Sequence, residues 1–203
     1  MIKVIDYGLG NVSAFLSAYK RANIQVDVAR DAADLRAATK LILPGVGSFD
    51  HAMDMLGQSG MLDALNDRVI NDRVPVLGVC VGMQIMARRS DEGRRPGLGW
   101  IEGQVRSFAT MGMSDLRLPH MGWNDVRPVS AHPLFSKLEA HARFYFLHSY
   151  FFDDCAFDQV AAVANYGRDF CCAVSSGNIH GVQFHPEKSH DCGMQLLKNF
   201  ADA

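Results

Sequence analysis

The sequence predicts an α/β fold, an open and mostly parallel central sheet flanked by helices with a smaller antiparallel extension. Two patterns and the size of the chain carry this expectation. In the first half, short apolar runs rich in Val and Ile at residues 2–5, 24–28, 41–43 and from 74 onward alternate with helix-compatible stretches, as β/α units of a parallel sheet do. From Trp100 onward, strand-like runs follow one another without intervening helices, which requires antiparallel pairings added to the parallel core. With 203 residues and 48% hydrophobic content, the chain can bury a substantial core as one domain, 1–203, and two domains would be cramped.

Residues 2–5 read as the first strand. The turn Asp6-Tyr7-Gly8-Leu9-Gly10-Asn11 leads from it into a helix through Phe15, Leu16 and Tyr19. Gly8-x-Gly10-x-x-Ser13 after a strand resembles a dinucleotide fingerprint. Ser13, however, stands where that motif needs Gly or Ala for close packing, and the chain is short for a cofactor domain plus a substrate domain. A turn near a site or an interface is the better reading. A short helix starts at 31–35, and the third strand ends in Pro44-Gly45-Val46-Gly47-Ser48. Amphipathic pieces follow at 52–56 and 61–70, and 88–97 is a polar surface loop. The second half predicts strands at 100–108, 116–118, 123–126, 144–152, 160–165, 170–174 and 179–184. A closing helix over 189–200 has Met194, Leu197 and Phe200 at core spacing.

A formal net charge of −2 without a long basic run argues against nucleic acid or an anionic membrane as a partner. The five cysteines form neither a disulfide framework nor a C-x-x-C zinc motif, which fits a reducing cytoplasm. Met1 leads straight into a strand, and no apolar run approaches about 18 residues, so the expectation is a soluble, unexported protein.

The rest of the chain is organised around Val74-Pro75-Val76-Leu77-Gly78-Val79-Cys80-Val81-Gly82-Met83-Gln84. An apolar strand runs into Gly78-x-Cys80-x-Gly82 and turns directly into a helix-compatible stretch over 83–87. This is a nucleophile elbow with Cys in place of Ser. Residues two before and two after the nucleophile must lack side chains to avoid collision, and a following helix would aim N–H groups at the sulfur and favour thiolate. The alternative is a buried strand cysteine beside ordinary turn glycines. Gly45 and Gly47, at the carboxyl end of the third strand, are placed to expose backbone N–H groups opposite Cys80 as oxyanion donors.

A thiol that attacks a carboxamide needs a base to take its proton and return it to the leaving amine. His185 ends a strand and is followed by Pro186-Glu187. The pre-proline position favours extended backbone, so side chains 185 and 187 should point the same way, with the Glu187 carboxylate orienting the imidazole. Cys80, His185 and Glu187 then make a nucleophile, a base and an orienting acid. A plain strand-ending turn is the alternative. Metal binding by His180, His185 and His190 is weaker, because spacings of five on a strand and turn do not converge on one centre.

Together, the elbow, the loop Pro44-Gly45-Val46-Gly47 and Gly181-Val182-Gln183-Phe184-His185-Pro186-Glu187 resemble the class I (triad) glutamine amidotransferases, whose core is flavodoxin-like. More narrowly, Asp6-Tyr7-Gly8-Leu9-Gly10-Asn11, Pro119-His120-Met121-Gly122-Trp123-Asn124, His148-Ser149-Tyr150 and Pro186-Glu187-Lys188-Ser189 resemble glutaminase subunits of imidazole glycerol phosphate synthases of histidine biosynthesis. The likeness covers nearly the whole chain. Val81 departs from the usual Leu, which matters little for a residue acting through its N–H. The resemblance implies hydrolysis of glutamine through a thioester on Cys80, with ammonia passed to a separate cyclase subunit in a heterodimer. The cyclase would use it on a phosphorylated ribulosyl aminoimidazole carboxamide nucleotide. No cofactor or metal is implied. The resemblance further implies an oxyanion hole of Val46, Gly47 and Val81, and substrate contacts from Gly47, Gln84, His148, Ser149 and Tyr150. It places Asn11, Trp123, Asn124 and Lys188 near the ammonia passage or the partner, although Trp123 reads equally as a core aromatic. A glutaminase of another pathway, a free-standing Cys hydrolase and a binding module that kept the fold are the rival readings.

Overall fold

The computed structural model describes residues 1–111 and 116–203. The first half alternates as the apolar runs require. The order is β1 (Ile2–Ile5), α1 (Val12–Arg21), β2 (Val26–Ala29), α2 (Ala32–Arg36), β3 (Lys40–Gly45), α3 (Phe49–Gln58) and α4 (Leu62–Asn66), which widens into a π-turn over Asp67–Asn71. β4 (Val76–Cys80) and the single-turn α5 (Val81–Gln84) follow. The helices bury one stripe each, Phe15, Ala18 and Tyr19 on α1 and Phe49, Ala52 and Leu56 on α3, at the i, i+3, i+4 and i+7 positions of an amphipathic helix. Asn11 caps α1, its side-chain oxygen accepting from the Ala14 N–H at 3.2 Å.

The second half adds β5 (Gln104–Ser107), β6 (His120–Asp125), β7 (Arg127–Pro128), β8 (Arg143–His148), β9 (Tyr150–Asp153), β10 (Val160–Tyr166), β11 (Arg168–Ser176) and β12 (Ile179–Val182). The helix α6 (His190–Asp202) closes the chain. One sheet runs β2-β1-β3-β4-β12-β11-β10-β7. Its first five strands are parallel, in a flavodoxin-like order, and the pairings from β12 onward are antiparallel. β9 pairs with β11 and with β5, while β6 and β8 form a separate two-stranded antiparallel sheet. Every residue of β4 is buried, as expected of a strand covered on both faces.

Register fixes what surrounds the elbow. Gly45 at the end of β3 pairs with Cys80 at the end of β4, and Val182 at the end of β12 pairs with Val79. The carboxyl ends of three adjacent parallel strands therefore meet at Cys80, where ligands collect in such sheets.

Three expectations need correction. Residues 116–118 are irregular rather than a strand. The apolar run over 144–152 is not one strand. It breaks at Ser149, β8 staying in the small sheet while β9 crosses to the large one. The helix after the elbow ends at Gln84, with Ile85 as its C-cap, so only one turn of aligned peptides faces the sulfur and most of the expected dipole is missing.

The elbow glycines are required by close approach. A Cβ on Gly78 would lie 2.6 Å from the Gly82 carbonyl oxygen, and one on Gly82 would run into the Leu43 carbonyl of β3. Both obstacles are backbone. Gly82→Ala is expected to cost about 1–3 kcal/mol. In a chain of this size that lowers Tm by roughly 2–4 °C per kcal/mol in a thermal melt. An unchanged Tm would contradict this packing.

Candidate active site

Cys80 takes φ 56° and ψ −113°, a region that costs a non-glycine residue about 1–3 kcal/mol and persists only where the surroundings enforce it. Here Gly78 and Gly82 let β3 and the first turn of α5 close on it from both sides. The side chain is nearly buried, with the Gln183 Nε2 at 3.7 Å from Sγ.

His185 follows β12, with its own N–H donating to the Tyr145 carbonyl at 2.9 Å. Its Nδ1 donates to Glu187 Oε1 at 2.8 Å, and both side chains are buried. The pairing does not arise from the extended backbone expected on the sequence. His185 is extended, but Pro186–Lys188 is a 3-10 turn closed by the Lys188 N–H on the His185 carbonyl, and that turn swings Glu187 back under the ring. With Nδ1 bonded to the carboxylate, Nε2 is left for Cys80, which lines the same cavity as the imidazole. Burial lowers the basicity of His185, but the neighbouring Cys80 sulfur and the Glu187 carboxylate overcome it and raise its pKa to about 9. The ring is a stronger base than a free imidazole.

A cavity of about 270 Å³ opens over the sulfur. Val46, Gly47 and Val81 border it from the β3 and β4 ends, Gln84 from α5, and His148, Ser149 and Tyr150 from the β8–β9 break, with Lys188 at the side. Gly47 has φ +90°, and the neighbouring Val46 is 41% exposed. Glu187 stands behind His185 rather than in the cavity. Asn11, Trp123 and Asn124 do not line it either. Asn11 caps α1, and Asn124 bonds to His120 and to the Asn165 carbonyl. Trp123 is 40% exposed and stacks on His190 at 5.1 Å between ring centroids, which removes the core-aromatic reading. The three histidines weighed for metal lie apart in function, with His180 bonded to Ser175, His185 to Glu187 and His190 stacked on Trp123.

The sequence reading missed several groups at this site. Glu92, taken as part of a surface loop, lines the cavity. Its carboxylate accepts the Phe49 N–H at 2.8 Å, and burial raises its pKa. Tyr7 donates its buried hydroxyl to the Pro44 carbonyl at 2.8 Å. Gly10, at φ +92°, presses on Pro44, where a Cβ would come within 2.6 Å of the proline ring. The glycine-rich turn that resembled a dinucleotide motif thus props the loop opposite Cys80. Gln183 bonds both Gln84, at 2.9 Å, and the sulfur. Tyr7, Gly10 and Gln183 fall within motifs the sequence offers, but their roles are not legible there, because each acts across a long sequence separation.

The family profile of the class-I glutamine amidotransferases matches residues 3–203. The imidazole glycerol phosphate synthase subunit HisH of Bdellovibrio bacteriovorus is 59% identical over 203 residues, covering all of both chains. This chain belongs to the class-I glutamine amidotransferases, in the HisH group. The HisH subunit of Leptospira borgpetersenii is 48% identical, with 99% of each chain covered. A crystal structure of a glutamine amidotransferase superposes with a TM-score of 0.76 over 98% of both chains at 20% identity, and supports the amidotransferase fold alone. No helix among the described residues is long and apolar enough to cross a membrane.

Proposed function

We propose that residues 1–203 act as one domain that hydrolyses glutamine to glutamate and ammonia and delivers the ammonia to a separate cyclase subunit, in a heterodimer working in histidine biosynthesis in the cytoplasm. The observation that carries this reading is the elbow cysteine facing one cavity with a histidine that is held by a buried glutamate, within a chain 59% identical over its full length to a HisH subunit.

Cys80 Sγ attacks the Cδ of the glutamine carboxamide as His185 takes the thiol proton. The oxyanion that forms is met by N–H groups at Val46, Gly47 and Val81. His185 passes its proton to the leaving nitrogen, ammonia departs, and a γ-glutamyl thioester remains on Cys80. Water then attacks the thioester while His185 removes its proton. The proton returns to sulfur, and glutamate leaves. Glu187 fixes the ring with Nδ1–H toward itself and Nε2 toward the thiol, and stabilises the imidazolium.

The cavity suits a free amino acid. Glu92 offers negative charge to an α-ammonium, while Gln84, His148, Ser149 and Tyr150 supply the walls. The exposed Trp123, with Asn11, Asn124 and Lys188, belongs to the side where the cyclase would sit and ammonia would leave. The test is product formation by the chain mixed with the cyclase subunit, fed either glutamine or an ammonium salt. Product from both nitrogen sources is expected. Product from ammonium alone, in an assembled complex with wild-type chain, would contradict the reading.

A further inference from the structure

The inner face of the small β6–β8 sheet carries polar groups where a core would ordinarily be apolar. His120 and His148 stand opposite each other in register, and both are buried. Their hydrogen bonds run in one direction. The Tyr150 carbonyl can only accept, so His148 Nδ1, 2.7 Å away, carries the proton. A neutral His148 then offers Nε2 as an acceptor, and His120 Nδ1 donates to it at 2.9 Å. His120 Nε2 in turn accepts from Asn124 Nδ2 at 3.2 Å, whose other hydrogen goes to the Asn165 carbonyl at 2.8 Å. A second proton on either ring would set two donors face to face. Burial depresses both imidazoles, His120 to about 4 and His148 to about 3, in keeping with two neutral rings.

The chain continues to the nucleophile. The Tyr150 carbonyl accepts a second bond from Gln84 Nε2 at 3.1 Å, and the same amide donates to Gln183 Oε1 at 2.9 Å. Gln183 Nε2 then reaches Cys80 Sγ. With both its hydrogens engaged, Gln84 is left with Oε1 as its unengaged acceptor in the cavity wall. The His120 ring is clamped between Tyr166, at 4.1 Å and 22°, and Phe146, at 4.7 Å and 25°, so it has no ready alternative rotamer. The opposite face of β6 presents Met121 and Trp123 to solvent.

We propose that His120 and His148 are positioning residues for glutamine hydrolysis. As neutral rings of fixed tautomer, they form a directed hydrogen-bond chain from Asn124 on the exposed β6 strand to the Tyr150 carbonyl. They thereby hold the Tyr150 carbonyl in place, and with it the Gln84 amide that donates to it and the Gln183 amide that meets the Cys80 sulfur. The inference rests on the glutaminase reading and deepens it. It also names a physical connection between the small sheet and the nucleophile. A disturbance of β6 at Asn124 is felt at Gln84 through four hydrogen bonds, without movement of the main sheet.

The test separates the polar role of His120 from its packing. His120→Phe keeps a stacked ring and removes both polar contacts, leaving His148 Nε2 without its donor. In the complex with the cyclase, this variant is expected to lower kcat/KM for glutamine by about tenfold or more, the scale of one buried polar group losing its partner. Ammonium-dependent synthesis should not change. His120→Gln, which can accept and donate at once, is expected to recover part of the loss. A folded His120→Phe complex with wild-type glutamine kinetics would overturn the proposal. Wild-type complex assayed in parallel distinguishes the two failures, since absence of glutamate release there would defeat the glutaminase reading itself. Nitrogen NMR of the histidine rings in the wild-type complex decides the matter even where the variant fails to fold. The proposal requires the Nδ1–H tautomer at both His120 and His148, and an Nε2–H tautomer or an imidazolium at either one would overturn it.

Discussion

Cys80→Ala is expected to abolish glutamine-dependent product formation by the complex and to leave ammonium-dependent formation essentially intact. The variant removes one sulfur atom at the end of β4 and keeps the Cβ that already sits at φ 56°. Neither the sheet register nor the His185–Glu187 pair depends on that sulfur. Removing the nucleophile of a site whose groups act as a unit costs up to about 10⁶ in kcat, so residual glutamine turnover should fall below detection. On the proposed function the synthase chemistry would lie on the other subunit and need only ammonia. Loss of both activities in a complex that still assembles would show that the division of labour is wrong.

The second large effect concerns the dependence on the partner. Glutamate release by the isolated chain is expected to be roughly 10²–10³ below that of the complex loaded with its nucleotide ligand, the scale of one oxyanion donor gained or lost. The Pro44–Gly47 loop explains where such a switch would reside. Tyr7 holds the Pro44 carbonyl, Gly10 presses on the proline ring, and Gly45 is locked in register with Cys80 and packed on Gly82. Beyond that point the constraint ends. Gly47 has no atom within 4 Å of where a Cβ would be, and its positive φ shows a backbone free of side-chain limits. The Val46–Gly47 peptide can therefore turn its C=O or its N–H toward the oxyanion position while the rest of the loop stays fixed. Gly47→Pro should abolish stimulation more than assembly. Gly45→Pro is a poor test, because any side chain there strikes the elbow. Equal turnover by the chain alone, with cyclase, and with cyclase plus ligand would contradict this gating.

The parallel half of the fold was legible in the sequence because short apolar runs alternate with helix-compatible stretches, and three of those runs, β1, β3 and β4, lead into glycine-containing turns. Gly78, Cys80 and Gly82 could be read from local sterics alone, and the structure shows the same collisions. His185 and Glu187 were legible as a pair two residues apart, although a 3-10 turn brings them together where an extended backbone was expected. The second half was harder to read. Residues 144–152 are aromatic or aliphatic apart from His148 and Ser149, and nothing local says that Phe146 pairs with Gly122 while Phe152 pairs with Val105. The break at Ser149 that opens the cavity wall is set by which sheet each half joins. The roles of His120, Gln183, Glu92 and Tyr7 were illegible for the same reason. Their importance lies in partners from 28 to 103 residues away, at the extremes of His120 with His148 and Gln183 with Cys80.

Covalent labelling by a glutamine-like diazo-ketone, mapped by peptide mass spectrometry, bears most directly on the claim that Cys80 carries the chemistry. The chain has five cysteines, of which Cys172 is buried in the sheet and Cys155, Cys171 and Cys192 are half-buried away from the site. Thiol exposure alone would favour those three over the nearly buried Cys80. Activation by His185 and recognition by the cavity reverse that order. The account predicts a single adduct, on Cys80, formed in step with loss of glutamine-dependent activity and slowed by glutamine itself. Labelling of Cys155, Cys171 or Cys192 at a comparable rate, or inactivation that leaves Cys80 unmodified, would contradict it.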